Sequence, residues 1–243
     1  MGSTAATKKA AKAERRADRK SKGVHKRRER LTMEVLGGTM DPELAERILS
    51  AASGLHPDAP WDEVAPTILP VLKRVWHPYP PDAAPLQIHV PPGIPTGFGI
   101  DFGPAFSHVT PGLVERWGVD EATLLGTALE NLRRLVVREP PVVQRFTHDR
   151  TRIVAVQGQG WGSSLLLLPE VLRPIVGPEP LVLLAPVRNT VIALPDDVDP
   201  AVAVDVWEAV AAGAHDELDV DPMRWTGTAV VAFGDRRSKG LPN

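Results

Sequence analysis

The chain has 243 residues, no cysteine, and a formal net charge of -2 from 28 Lys and Arg residues against 30 Asp and Glu residues. The absence of cysteine excludes disulfides, thiolate zinc sites, iron-sulfur clusters and cysteine nucleophiles. Residues 1–32 contain 12 of the basic and 3 of the acidic residues, a net of +9, so the remaining 211 residues carry -11. A basic arm therefore precedes an acidic body.

The composition is that of an ordinary globular protein, with 43% hydrophobic and 24% charged residues. No run of residues approaches the roughly 20 apolar positions that span a bilayer, and the N-terminus lacks the apolar stretch of a secretory signal. We therefore expect a cytoplasmic protein without a membrane span. No segment carries a signature strong enough to name a reaction, so the sequence predicts no catalytic residue and no cofactor.

Residues 1–38 are predicted to form a disordered basic tail, because the stretch from Ala5 to Arg30 has no Phe, Tyr or Trp and no apolar side chain larger than Val24. Such a tail gains affinity for phosphate backbones by counterion release. The favoured interpretation is a solubilising tail or one that folds back on the acidic body; the alternatives are nucleic acid, an anionic membrane or a protein partner. The candidate residues for contact with an anion or nucleic acid are the most closely spaced basic residues of the tail: Lys26, Arg27, Arg28 and Arg30.

Residues 39–243 are predicted to form a single domain, with a helical annex over residues 39–78. The Asp41-Pro42 pair predicts the start of a first helix. A second helix is expected from Asp62 or Glu63, carrying an apolar stripe through Val64, Ile68, Leu72, Val75 and Trp76. Pro66 and Pro70 inside this stripe indicate a late start or a kink.

The remaining elements follow from periodicity and turn residues. Residues 57–111 hold 13 of the 25 prolines, which favours extended chain with short strands at 86–90 and 98–102. Helices are predicted after Asp120, from the apolar run at 165–168 to about Val176, and from Asp199-Pro200 to His215. Strand pairs are predicted at 142–147 with 152–157 and at 181–185 with 190–194, and a last strand at 225–233. Repeated hairpins indicate an α+β fold with a mostly antiparallel sheet and helices packed on one face.

The central part of the chain resembles an uncharacterised bacterial family, the domain of unknown function numbered 1444. The resemblance covers roughly residues 105–195 and rests on short motifs: Val109-Thr110, Trp117-Gly118-Val119, Asp120-Glu121, Ala128-Leu129-Glu130-Asn131-Leu132, Gly158 to Leu168, and Pro186-Val187-Arg188-Asn189. Asn189 stands where the family pattern has an acidic residue. The resemblance implies a cytoplasmic bacterial protein and supplies no catalytic residue.

The stretch Gly158-Gln159-Gly160-Trp161-Gly162 lies between a predicted strand and a predicted helix. It matches neither the dinucleotide fingerprint nor the P-loop, and Ser163 is not flanked as in an esterase elbow, so a tight turn with serine caps is favoured over a phosphate cradle. Trp161 in this glycine loop is a candidate exposed contact for a partner. Arg188, at a predicted hairpin tip, is a candidate to bind a carboxylate or phosphate through two hydrogen bonds. A solvated arginine is the more common case at such a position.

The best metal-like set is His89, Asp101 and His108, two histidines and a carboxylate within 20 residues. Alternation in the two strands would direct His89 and Asp101 to one face if those strands pair. Ordinary surface or loop roles are favoured over a metal site, because such residues often fall this close by chance. Asn131, on the apolar face of its helix, is expected to be buried and to hydrogen-bond a neighbouring loop.

Three functional hypotheses follow. The leading one is a non-enzymatic, cytoplasmic protein-binding module whose body contacts an unidentified protein. The first alternative is a nucleic-acid-associated protein that binds through residues 1–32, with binding that falls steeply with salt. The second is a hydrolase or transferase with an unrecognised site, which requires a pocket that gathers residues such as His89, Asp101, His108 or Arg188. The oligomeric state does not follow from the sequence.

Overall fold

The computed structural model describes residues 59–72, 84–101, 106–148, 150–212, 214, 217–218 and 220–233. These residues contain five α-helices: α1 Trp61–Val64, α2 Pro111–Trp117, α3 Glu121–Arg138, α4 Pro169–Val176 and α5 Pro200–Ala211. Two 3-10 segments, Ala65–Thr67 and Gly162–Leu167, accompany them. Among the helices that the structure describes, none combines the length and apolar character needed to cross a membrane.

The ten described strands form two antiparallel sheets. Their bounds are β1 Ile68–Leu72, β2 Gln87–Val90, β3 Ile94–Asp101, β4 Phe106–His108, β5 Val142–His148, β6 Thr151–Gln157, β7 Leu181–Val187, β8 Thr190–Pro195, β9 Met223–Trp225 and β10 Val230–Ala232. In the smaller sheet, β3 pairs with β1 along one edge and with β2 and β4 along the other. The larger sheet has the order β10-β9-β7-β8-β6-β5, so β5 lies at one edge.

The two sheets share one hydrophobic core. The smaller sheet contributes Leu69, Leu72 and Ile94, and the 3-10 segment Gly162–Leu167 contributes its leucines. All six residues of that segment are buried. The Ser164 hydroxyl donates a hydrogen bond of 2.8 Å to the carbonyl oxygen of Pro70, so a polar contact also joins the segment to β1.

Both faces of the larger sheet are covered, because alternate residues along its strands enter different cores. Leu183 and Ala193 join the shared core, whereas Val182 and Leu194 pack against α5 on the opposite face. Helix α3 covers the smaller sheet, where Leu124 and Ala128 meet Phe98 and Ile100. The continuous apolar runs of β7 and β8 follow from this double burial.

Helix α3 begins where the sequence predicts. The Asp120 carboxylate accepts a hydrogen bond of 2.7 Å from the backbone N-H of Thr123, which is an N-cap. The hydrogen bonds from Thr123 hold the pKa of Asp120 below its usual value. The helix ends at Arg138, just before Pro140 and Pro141, which cannot donate backbone hydrogen bonds.

The predicted α+β fold with mostly antiparallel pairing is confirmed. The helix after Asp120 and the two hairpins, β5-β6 and β7-β8, are confirmed with small changes of their ends. Helix α5 begins at Pro200, and Asp199 is its N-cap. The basic tail over residues 1–38 and the predicted first helix from Asp41 lie outside the described residues.

Two predictions about local structure are wrong, and one helix has no counterpart among the predicted elements. The predicted second helix ends at Val64, and a 3-10 turn then leads into strand β1, because Pro66 and Pro70 interrupt helical hydrogen bonding. The predicted last strand is two strands, β9 and β10, joined by a turn in which Gly227 has a φ of 95°. Helix α2 was not predicted; Pro111 at its first position and Gly118 in the left-handed conformation at its end are ordinary helix signals.

Candidate functional site

Strand β5 is the most exposed long strand of the larger sheet. It pairs with β6 over seven residues on one side, and no described strand pairs with its other side. Six of its seven residues are exposed. An edge strand of this length presents unpaired backbone N-H and C=O groups, which another extended segment can use for pairing.

One face of β5 exposes two large apolar side chains. Val142 is 59% exposed and Phe146 is 47% exposed, and with Val137 of α3 they are the large hydrophobic side chains exposed in the described part of the chain. Val142 and Phe146 are four residues apart, so both point to the same face of the sheet. The buried neighbour opposite Phe146 is Ile153. The core beneath this face therefore stops short of the edge strand and leaves two apolar side chains in water.

The other face of β5 is basic. Arg145 lies opposite Val154, and Thr147 lies opposite Arg152, so the two arginines are diagonal neighbours on one face. Both line a cavity of about 710 Å³ between the sheet and the end of α4. The Nη2 atom of Arg145 donates a hydrogen bond of 2.8 Å to the carbonyl oxygen of Ile175. This bond holds the guanidinium against the end of α4.

Three carboxylates line the same cavity. They belong to Glu179, Asp196 and Asp197. Arg224 forms a salt bridge with Asp196, and this contact raises the pKa of Arg224 above its ordinary value. Asp196 therefore has its own cation, while neither Arg145 nor Arg152 forms an ion pair with a described residue.

The Gly-rich loop is a structural junction. The N-H of Gly158 donates to the carbonyl oxygen of Asn189 at 3.0 Å, and the Ser163 hydroxyl donates to the carbonyl oxygen of Arg188 at 2.7 Å. A Cβ atom at Gly162 would meet the backbone of Asn189. The glycines thus allow the β7-β8 turn to pack directly on the loop. The expected serine caps are not formed, because the 3-10 segment has no side-chain cap and the hydroxyls of Ser163 and Ser164 donate to carbonyl oxygens of other segments.

The prediction that Trp161 is exposed is wrong, because its side chain is only 3% exposed and belongs to the shared core. Its ring packs on Gly158, where a Cβ atom would lie 2.7 Å from the indole carbons. Arg188 is partly buried, and its Nε donates a hydrogen bond of 2.8 Å to the carbonyl oxygen of Gly160. The structure brings the two candidates into one junction, where Arg188 holds the loop that carries Trp161.

The strands that carry His89 and Asp101 do belong to one sheet. His89 lies opposite Pro95, and His108 lies opposite Gly99, so with Asp101 all three candidates share one face. His89 is nevertheless about 20 Å along β3 from Asp101, since six residues separate their register positions at roughly 3.3 Å each. The described residues contain no group of three His, Cys, Asp or Glu side chains placed to hold a metal ion.

The described cavities do not collect the residues that the hydrolase or transferase alternative requires. The cavity of about 710 Å³ contains none of the four. A second cavity, of about 370 Å³, is lined by Asp101 together with Arg134 and Arg138 of α3, and by neither histidine nor Arg188. Lys26, Arg27, Arg28 and Arg30 lie outside the described residues.

Asn131 fixes the entry to β1. It is 8% exposed, and its Nδ2 donates hydrogen bonds of 2.7 Å to the carbonyl oxygen of Ala65 and 2.9 Å to that of Ile68. These bonds satisfy two carbonyl groups at the point where the 3-10 turn becomes a strand. The expected hydrogen bonding of a buried Asn131 to a neighbouring segment is confirmed.

We expect the substitution Asn131→Leu to lower the free energy of unfolding by about 2–3 kcal/mol, because it removes two hydrogen bonds and leaves buried carbonyl groups unsatisfied. Urea unfolding of both proteins measures the effect. The control Val137→Asn, on an 82% exposed position of the same helix, should change stability by less than about 0.5 kcal/mol. Equal losses in the two variants would contradict a specific role for Asn131.

Comparison of the chain with protein-family models, with curated protein sequences and with solved structures found no significant match.

Proposed function

We propose that this chain is a non-enzymatic, cytoplasmic protein-binding module that takes up an extended segment of a partner protein alongside β5. The central part of the chain, roughly residues 105–195, is proposed to belong to the uncharacterised bacterial family that it resembles. The observation that carries the proposal is the combination found on β5: a seven-residue edge without a described neighbour, and two exposed apolar side chains, Val142 and Phe146, on one face.

Strand addition suits this edge for physical reasons. Main-chain hydrogen bonds supply affinity without regard to sequence, and side chains that alternate between the two faces supply specificity. A strand laid beside β5 would cover Val142 and Phe146 with its own apolar residues, and cross-strand apolar pairs contribute about 0.2–1 kcal/mol each. Nucleic-acid binding by residues 1–32 remains a prediction that concerns a different part of the chain.

Photo-crosslinking in cells tests the proposal. The photoreactive amino acid p-benzoylphenylalanine is introduced at Gln144, between Val142 and Phe146 on the strand, in the full chain. We expect a discrete protein adduct that disappears when Val142→Asp and Phe146→Asp are added, because two buried charges would oppose docking. The same amino acid at Val137, exposed on α3, is the matched control.

The adduct is identified by mass spectrometry of the crosslinked species. Adducts that are identical at positions 144 and 137, or that persist in the double Asp variant, would show contact without use of the β5 edge and would refute the proposal. Circular dichroism of each variant checks that the domain remains folded. The substituted side chains are already exposed, so we expect little change in stability.

A further inference from the structure

We infer that the segment that pairs with β5 alternates apolar with acidic residues, its carboxylates facing Arg145 and Arg152. This inference rests on the proposed function and specifies the partner's chemistry. The two faces of β5 differ in kind: one exposes Val142 and Phe146, and the other carries Arg145, with Arg152 of β6 diagonal to it. A strand that satisfies both faces needs apolar residues at every second position and acidic residues between them.

The arginines are available to an incoming carboxylate. Both belong to the exposed class of residues, and neither makes an ion pair with another described residue. Arg145 uses one N-H group on the carbonyl oxygen of Ile175. The other N-H groups of Arg145 and all those of Arg152 remain as donors. A planar guanidinium can bind a carboxylate through two parallel hydrogen bonds.

Charge also distinguishes the possible occupants. The chain beyond residue 32 has a net charge of -11, so two neighbouring arginines that form no ion pair with a described residue are a local exception on an acidic body. The chain's own basic arm, at +9, would bring like charge to this edge. A second copy paired through β5 would bring its own Arg145 and Arg152. Of these three, an acidic segment is the one whose charge is attracted to Arg145 and Arg152.

The carboxylates of the cavity limit the anions that it accepts. Glu179, Asp197 and the Arg224-paired Asp196 line the same cavity as the two arginines. A carboxylate on the added strand is attracted by Arg145 and Arg152 and repelled by these acidic residues. This arrangement favours acidic side chains held on an extended backbone over a free anion enclosed by the cavity.

The inference is tested with three seven-residue peptides that alternate valine with glutamate, glutamine or lysine. Each is titrated into the isotope-labelled full chain, and dissociation constants are read by nuclear magnetic resonance from the backbone amides of Gln144 and Phe146. These amides lie in β5 itself, so a shift there registers binding at this strand and not at the basic arm. The same titrations use the variant Arg145→Gln with Arg152→Gln, and the control Arg134→Gln with Arg138→Gln on α3.

We expect the glutamate peptide to bind about tenfold more tightly than the glutamine peptide at low salt, since two exposed ion pairs contribute up to about 1 kcal/mol each. The lysine peptide should bind most weakly, and added salt should reduce the difference. The double variant at Arg145 and Arg152 should bind the glutamate and glutamine peptides equally. The control variant should keep the preference.

Four results would overturn the inference. If the wild type binds the glutamate and glutamine peptides equally, the preference for an acidic partner is refuted. Strand addition is still supported in that case if Phe146→Asp weakens the binding of both peptides. Peptide binding that Phe146→Asp does not change would remove strand addition itself. Absence of binding by all three peptides, or a glutamate preference that survives in the double variant, also overturns the inference.

Discussion

Replacement of Gly162 by alanine is expected to destabilise the domain by about 3 kcal/mol, a large effect for one methyl group. The new Cβ atom would collide with the carbonyl oxygen of Asn189 and lie 2.6 Å from its carbonyl carbon and 3.2 Å from the backbone nitrogen of Thr190. Backbone atoms in a hairpin cannot rotate away as a flexible side chain can. The β7-β8 turn would have to separate from the Gly-rich loop.

Denaturant unfolding of the purified chain measures this loss. Gly126→Ala is the matched control, because Gly126 is an exposed residue of α3 and its Cβ atom would meet nothing within 4 Å. That variant should gain up to about 1 kcal/mol, since alanine restricts the unfolded chain and favours a helix. A Gly162→Ala protein as stable as the wild type would contradict the direct packing of the turn on the loop.

The substitution Trp225→Ala should cost about 3–5 kcal/mol, the range for removing a fully buried large aromatic side chain. Trp225 is completely buried in the shared core, and its Nε1 donates a hydrogen bond of 2.8 Å to the carbonyl oxygen of Gly177. The indole therefore joins β9 to the end of α4. Loss of the ring leaves a cavity and an unsatisfied carbonyl group.

Trp225→Phe separates the two contributions. It keeps most of the apolar contact but removes the donor, so we expect a smaller loss of about 1–2 kcal/mol. Thermal or denaturant unfolding of the two variants under the same conditions gives both values. If phenylalanine destabilises as much as alanine, the hydrogen bond to Gly177 rather than burial of the ring dominates, and the expected order is wrong.

Local signals in the sequence predict the elements that neighbouring residues determine. Helix α3 has a complete N-cap at Asp120 and an apolar stripe of helical period, and each hairpin has turn residues between apolar runs. Strand β1 was missed because Ile68 and Leu72 lie four apart, a helical spacing that is also explained by a strand buried on both faces. In that case the prolines, rather than the apolar spacing, were the decisive signal.

The candidate site was predicted less well, because it depends on the order of strands in the sheet. The sequence of β5 predicts a strand but does not tell whether that strand is central or at an edge. Phe146 and Arg145 are candidates because β5 lies at the end of the sheet, a position that the local sequence does not determine. Trp161 was misplaced for a related reason: a glycine loop predicts a turn, and burial of that turn follows from packing by the β7-β8 hairpin.

The buried 3-10 segment Gly162–Leu167 has a consequence for cooperativity. Its leucines lie in the core that both sheets share, and the hydroxyl of Ser164 bonds the backbone of β1. Neither sheet can therefore lose its structure without exposing leucines that the other sheet also covers. We therefore expect the chain from β1 to β10 to unfold as one thermodynamic unit, so that cleavage between β4 and β5 would not yield two separately stable fragments.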